Sequence, residues 1–286
     1  MSAIEEIILD RDRRGISTLR AHLPADFCRD AATLILEHPG DILICSGFYI
    51  LAAGAPETDG PPGAYFLDRA LRQLGYRATH VTDKYSSTLY HGLPDIEEVV
   101  EFPVADAKTS ERYAQELLER LRPSVVISTE RCSVTATGRY LNMHGNDISE
   151  YNAKLDYLVM GHPATVGIGD GGNEIGMGNL RQEIAAAAAL PSEPAVTSVS
   201  RLVIASVSNW GAYGLIAALS QLAHRNLLPT EEAEESVIRR MVDRGAVDGT
   251  AVQQVYRVDG FTLKENRQTL SRLHAALTQE GLPLSH

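Results

Sequence analysis

GIGDGGNEIGMGN, residues Gly167–Asn179, holds six glycines, two carboxylates and two asparagines. Glycine tolerates positive φ and lets backbone come close to a ligand. Ala164–Val166 before this stretch read as a strand end, and the alanine-rich Leu180–Leu190 after it read as helix. Strand, glycine loop, helix is a frequent anion or metal site in α/β proteins. Gly167, Gly169 and Gly172 also fit G-x-G-x-x-G, a weak signal alone. Asp170 and Glu174 would repel a bare pyrophosphate, whereas a divalent cation between them reverses the sign. Asp170, Asn173 and Glu174 are all oxygen donors, as hard Mg²⁺, Mn²⁺ or Ca²⁺ requires. The plainer reading is a tight turn whose Asp and Asn cap the next helix.

Outward from the loop, strands alternate with helices. Buried-strand patterns are read at Asp41–Ile50 (breaking at Gly47), Ala78–Thr82, Glu97–Val104, Ser124–Ser128 and Arg201–Ser206. Helices are expected at Ala64–Leu74 (ended by Gly75), Thr109–Leu121, Ile148–Met160, Ala212–Ala223, Thr230–Arg244 and Leu263–Glu280. Ile16–His38 reads as two helices around Leu23–Pro24. The alternation argues an α/β fold, Rossmann-like, with a mostly parallel sheet and helices on both faces. Residues 1–40 form a helical N-terminal extension packed on 41–286, the whole making one α/β domain. Val247-Asp248-Gly249 and Val258-Asp259-Gly260 echo one another and read as two similar turns.

Composition narrows the function classes. The 286 residues are 44% hydrophobic, enough for a large core. A net charge of −11 argues against nucleic acid and against anionic membrane surfaces as partners. Cys28, Cys45 and Cys132 show no paired spacing, so a reducing, cytoplasmic setting is expected. Met1–Gly15 carries acids and no apolar core of signal length, and no run approaches a membrane span.

The polar residues share an address. Glu57 and Asp59 follow the first strand, Asp83 the second, and Glu130-Arg131 the Ser124 strand. Asp170 follows the strand before the glycine loop, and Asn209 follows the last. Ligands of open parallel sheets sit outside the carboxyl ends of strands, so one acidic, metal-binding cleft is expected.

These residues resemble a known family. PETDGPPGA at Pro56–Ala64, VTD at Val81–Asp83, Glu130-Arg131, GRYLNM at Gly138–Met143, the glycine loop and SNWGAY at Ser208–Tyr213 carry the likeness. In this order they are similar to the D-glutamate cyclase family, in its C-terminal catalytic-type domain and stand-alone prokaryotic relatives. Cys45-Ser46-Gly47-Phe48 departs from the family's usual Thr-Gly-Phe, and Cys132-Ser133-Val134-Thr135 departs from its glycine and alanine. The resemblance implies conversion of D-glutamate to 5-oxo-D-proline with loss of water. Relatives also suggest metal-dependent phosphate-ester hydrolysis.

Lactam formation needs a deprotonated amine, a neutralised γ-carboxylate and a protonated leaving oxygen. A Mg²⁺ or Mn²⁺ ion on Asp170, Asn173 and Glu174, with Glu57 or Asp59, would polarise the γ-carboxylate. Arg131 or Arg139 would hold the α-carboxylate, and Glu130 or Asp83 would take the ammonium proton. Asn142, Asn209 and the backbone of Gly169, Gly171 and Gly172 complete the candidate substrate contacts. Plainer roles stand beside these: Arg131 pairing with an acid, Asn209 capping a helix, Trp210 packing, His162 as a hydrogen-bonded structural residue. The expected partner is a small anionic substrate, an amino acid or a phosphate ester; homo-oligomer formation is left open. The competing functions are a divalent-metal-dependent phosphatase and a non-enzymatic nucleotide-binding module.

Overall fold

A computed structural model describes residues 3–96 and 98–284. Six strands form one all-parallel sheet: β1 Ile42–Ser46, β2 Ala78–Thr82, β3 Val99–Glu101, β4 Val125–Thr129, β5 Thr165–Gly169 and β6 Arg201–Ile204. Their spatial order is β3-β2-β1-β4-β5-β6. β1, β4 and β5 are buried at every residue, as apolar runs covered on both faces must be. The strand order reverses between β1 and β4, which pair in register from Ile42↔Val125 to Ser46↔Thr129. Chains leaving these two strands diverge and open a crevice at their carboxyl ends.

Helices cover both faces. α1 Ala3–Ile8, α2 Phe27–Glu37, α3 Pro61–Gln73, α7 Ser208–Ala223, α8 Glu231–Asp243 and α9 Leu263–Gln279 contribute to the larger apolar core. α4 Ala107–Leu121 and α5 Asp156–Met160 enclose the smaller one; α6 Arg181–Ala186 follows the glycine loop. Local chemistry sets several ends. Asp106 caps α4 through the Thr109 N–H, Thr262 and Glu265 form a reciprocal capping box on α9, and Gly75 (φ +88°) follows α3. Ile4, Ile8, Ile16, Leu19 and Phe27 lie in the same core as the sheet, so the N-terminal segment packs there by its apolar face.

Three expected helices differ from what forms. Leu180–Leu190 is helical only over Arg181–Ala186, after a 3-10 turn at Gly178–Leu180. Ile148–Met160 yields a 3-10 turn at Ser149–Tyr151 and the short α5, because Asn152 is extended. There the Ala153 carbonyl accepts from Arg131 at 2.8 Å, and buried Asp156 holds the Ser133 and Thr197 hydroxyls at 2.5 Å each. α7 begins at Ser208 rather than Ala212, because Asp59 supplies an anion to its first turn. No helix among the described residues is long and apolar enough to cross a membrane.

Candidate active site

The glycine loop closes around its own carboxylate. Glu174 accepts the N–H groups of Gly171 at 2.7 Å and Gly172 at 2.8 Å. Gly172 has φ +91°, and a Cβ at Gly169 would lie 3.0 Å from the Glu174 side chain. The glycines therefore admit Glu174 into the anion cradle they form. A diphosphate would need donors already bonded to Glu174, which removes the support for a nucleotide cradle. Asp170 is left facing the crevice, fully buried, with neither carboxylate oxygen accepting a hydrogen bond.

At the sheet's switch point, two helices cap each other. Asp59, in the loop after β1, accepts the N–H groups of Ser208 and Asn209 at 2.8 Å each, at the start of α7. Asn209 returns the contact: its amide oxygen accepts Gly60 N–H at 3.0 Å and Gly63 N–H at 2.8 Å, at the start of α3. Its amide nitrogen donates to the Thr58 carbonyl at 3.1 Å. Asn209 is thus a cap for α3, not for its own helix. Glu130 sits against this joint with φ +45°, and its Oε2 accepts the Ser208 hydroxyl at 2.6 Å. A Cβ on Gly60 would fall 2.6 Å from the Glu130 Cβ, so glycine is needed there. Asn209→Ala strands two buried N–H groups and is expected to cost about 2–4 kcal/mol in urea unfolding. A loss below ~1 kcal/mol would show that water replaces the amide.

The acids converge. One carboxylate oxygen from each of Asp59, Glu130 and Asp170 lies within 4.8 Å of the others, and all three residues are buried. Glu57 is beside them, with Oε1 bonded to nothing. Its backbone pairs with Val247, which ties the loop after β1 to the loop after α8. Asp259 arrives from the two-stranded ribbon Arg257–Val258/Phe261–Thr262. Arg14, from the N-terminal segment, bridges Asp170 and Asp259, with Nη2 2.7 Å from the latter.

Such crowding raises proton affinity. Burial first, then Asp259, pushes Asp59 up to about 7, against the opposing hydrogen bonds from Asn209 and Ser208. Burial and neighbouring carboxylates hold Glu57 and Glu130 well above the usual range. Asp170 is raised by burial despite the Arg14 charge. A cation among carboxylates so placed favours their ionised forms. An all-oxygen, anionic donor set with unsatisfied lone pairs fits a hard divalent ion.

A cavity of about 340 Å³ opens over this floor. Glu57, Glu130, Asp170 and Glu174 line its base, and Phe48, Tyr49, Ile50, Leu51, Met143 and Val252 line its walls. Asn142, Asn173 and Gly171 of the expected site also face it. Asn173 donates to the Leu141 carbonyl at 3.1 Å, while the Asn142 side-chain oxygen accepts the His144 and Asn146 N–H groups at 3.0 Å.

Other expected residues lie elsewhere. Arg131 is buried in an ion pair with Asp83 at 2.6 Å and donates to the carbonyls of Gly47 at 2.6 Å and Ala153 at 2.8 Å. These contacts hold its guanidinium beside the cavity, not on it. Arg139 is half-exposed and pairs with Glu193 at 3.0 Å, outside the cavity lining. Asn209, Gly169 and Gly172 stand behind the lining residues. Trp210 packs, donating to Asn266 at 2.8 Å, and His162 bonds the Ala164 and Pro123 carbonyls. Two residues outside the expected site set join it, Arg14 and Asp259. The Val-Asp-Gly echo marked the second as a turn; for Arg14, within Arg11-Asp12-Arg13-Arg14, no pattern marks one arginine over its neighbours.

Fold and site together define a doubly wound α/β protein with a buried, cation-competent acidic cavity at the switch point of its sheet. The family model described as "D-glutamate cyclase-like, C-terminal" matches residues 4–274. The chain belongs to this D-glutamate cyclase-like family. It is 30% identical over 236 residues to the mitochondrial D-glutamate cyclase of Homo sapiens, covering 74% of this chain and 37% of that protein. The chain thus spans little more than a third of that relative's length.

Proposed function

We propose that this protein is a metal-assisted lyase that cyclises D-glutamate to 5-oxo-D-proline and water. The observation that carries this reading is the buried trio Asp59, Glu130 and Asp170 at the sheet's crevice, in a chain of this family. These three residues would hold Mg²⁺ or Mn²⁺, and such an ion supplies charge stabilisation to the γ-carboxylate under attack. In the reaction an N–C bond forms at the γ-carbon and a C–O bond breaks. Two protons leave the ammonium nitrogen and depart with the oxygen as water. Glu57, raised in proton affinity and carrying an unpartnered Oε1, is suited to take a proton from nitrogen and return it to the leaving oxygen. The apolar wall from Phe48 to Leu51, with Met143 and Val252, limits water around the reacting ends. Ring closure is intramolecular, so confinement of a folded conformer removes much of the entropic barrier.

Purified protein incubated with D-glutamate and Mn²⁺ or Mg²⁺ should yield 5-oxo-D-proline, resolved by chiral chromatography. A preparation that binds either ion yet forms no lactam would overturn the reading. Phosphatase chemistry is the second reading, favoured by Glu57 and Asp259, which offer more carboxylates than one ion needs. Phosphate release from p-nitrophenyl phosphate, with no lactam from D-glutamate, would decide for it.

The crowded acids also set a pH dependence. Asp59 is raised from 3.8 to about 7 in the folded state, so its contribution to stability is full below about pH 4 and lost as pH rises through 7. Glu57, Glu130 and Asp170 shift in the same direction. Ion-free protein should therefore melt lower at pH 8 than at pH 5.5. Mn²⁺ should raise the melting temperature more at pH 8, where it competes with fewer protons. Melts in EDTA and in Mn²⁺ at both values check this; equal Mn²⁺ shifts would argue against carboxylate ligation.

A further inference from the structure

We infer that Arg14 recognises a carboxylate of the substrate, exchanging Asp170 for it when Asp170 turns to a cation. The inference rests on the acidic-substrate reading above and names the group that receives the substrate's second carboxylate. Arg14 is the only lysine or arginine among the described residues lining the cavity. Glu57, Glu130, Asp170 and Glu174 on the same floor repel an anion. A cation within Asp59, Glu130 and Asp170 answers one end of a diacid. The other end needs a positive group, and Arg131 and Arg139 are held elsewhere.

The segment carrying Arg14 is built to hold it. Asp12 Oδ1 accepts the N–H groups of Arg14 and Gly15 at 2.9 Å each, and its Oδ2 accepts the Ser17 N–H at 2.8 Å and hydroxyl at 2.6 Å. Gly15, at φ +87°, makes the turn that follows. The Arg13 guanidinium lies 3.7 Å from the Phe261 ring centroid, Arg11 donates to Gln268 at 2.7 Å, and Arg272 meets Asp10 at 2.5 Å. Three ties to the C-terminal ribbon and α9 thus fix the backbone, while the Arg14 side chain stays 19% exposed. One guanidinium nitrogen faces Asp259 and another faces Asp170. Transfer of Asp170 to a cation leaves Asp259 as anchor and frees an edge of the fork for a carboxylate, the geometry guanidinium suits best.

Glutarate, an unreactive five-carbon diacid, separates this role from catalysis. Calorimetry of Mn²⁺-loaded protein should show wild type binding glutarate. Arg14→Lys, which keeps the charge, should weaken it about 10-fold, and Arg14→Gln about 100-fold. Mn²⁺ affinity, titrated alone, should be unchanged or tighter in Arg14→Gln, since Asp170 loses a competitor. Asp12→Asn, which leaves the Arg14 charge in place and loosens the segment, should also weaken glutarate about 10-fold and decides the matter if Arg14→Gln does not fold. Unchanged glutarate affinity in the variants, or joint loss of Mn²⁺ and glutarate, overturns the inference. Wild type that holds Mn²⁺ and binds no diacid overturns it together with the reading it rests on. Arg14-dependent glutarate binding without lactam formation keeps this inference and removes the cyclase.

Discussion

Asp170→Asn is expected to abolish tight Mn²⁺ binding and to lower lactam formation by at least about 10³-fold, roughly 4 kcal/mol of barrier. Apart from its ion pair with Arg14, Asp170 accepts no hydrogen bond within the protein, and it belongs to the trio with Asp59 and Glu130. An amide keeps the shape and removes the charge, so the remaining pair binds a divalent ion weakly. The fold should survive. Arg14 retains Asp259, and a buried carboxylate whose proton affinity is already raised contributes little as an anion. Calorimetric Mn²⁺ titration, urea unfolding and product formation on one preparation test all three parts. Unchanged Mn²⁺ affinity would place the metal centre away from the glycine loop.

The second large effect is on stability. Arg131→Met should cost about 3–5 kcal/mol, because it leaves Asp83 charged and buried without its partner. The carbonyls of Gly47 and Ala153 lose a donor as well. For a chain of this size the melting temperature should fall by roughly 10 °C. Adding Asp83→Leu should recover much of the loss, since an apolar pair of similar volume replaces a desolvated ionic one. A double-mutant cycle by urea unfolding measures the coupling. Near-additive losses would mean that Arg131 stabilises through the carbonyls alone. Mn²⁺ affinity should be preserved in whatever remains folded, as Arg131 does not line the cavity.

The contrast between these two sites shows what a sequence can disclose. The strands were legible because parallel sheets bury both faces: ILICS, VVIST and TVGIG leave no polar alternation to misread. Acids at strand ends followed from that, and Glu57, Asp59, Glu130, Asp170 and Glu174 do come together. What stayed hidden was the choice of partner. Arg131 reads equally well as a substrate clamp or a structural cation, and only its three buried acceptors decide its place. Glu174 reads from the sequence as a ligand, and the structure adds that the loop's own N–H groups bond it. Asp59 and Asn209 each carried a functional motif and prove to seat each other's helices. Helix expectations failed at Ile148–Met160, where apolar spacing gives way to tertiary hydrogen bonds, and at Leu180–Leu190, where the alanine run ends in local turns after Ala186.

The ties between residues 10–14 and residues 259–272 bear on how the site is assembled. Asp10 meets Arg272 across 262 positions, and Arg14 meets Asp259 in the same region. A nascent chain on the ribosome can lay down the earlier strands of the sheet, but Arg14 has no Asp259 to seat against until residue 259 has been made. Completion of the acidic cavity's ion-pair set therefore waits on Asp259, even where most of the helices around the sheet have formed.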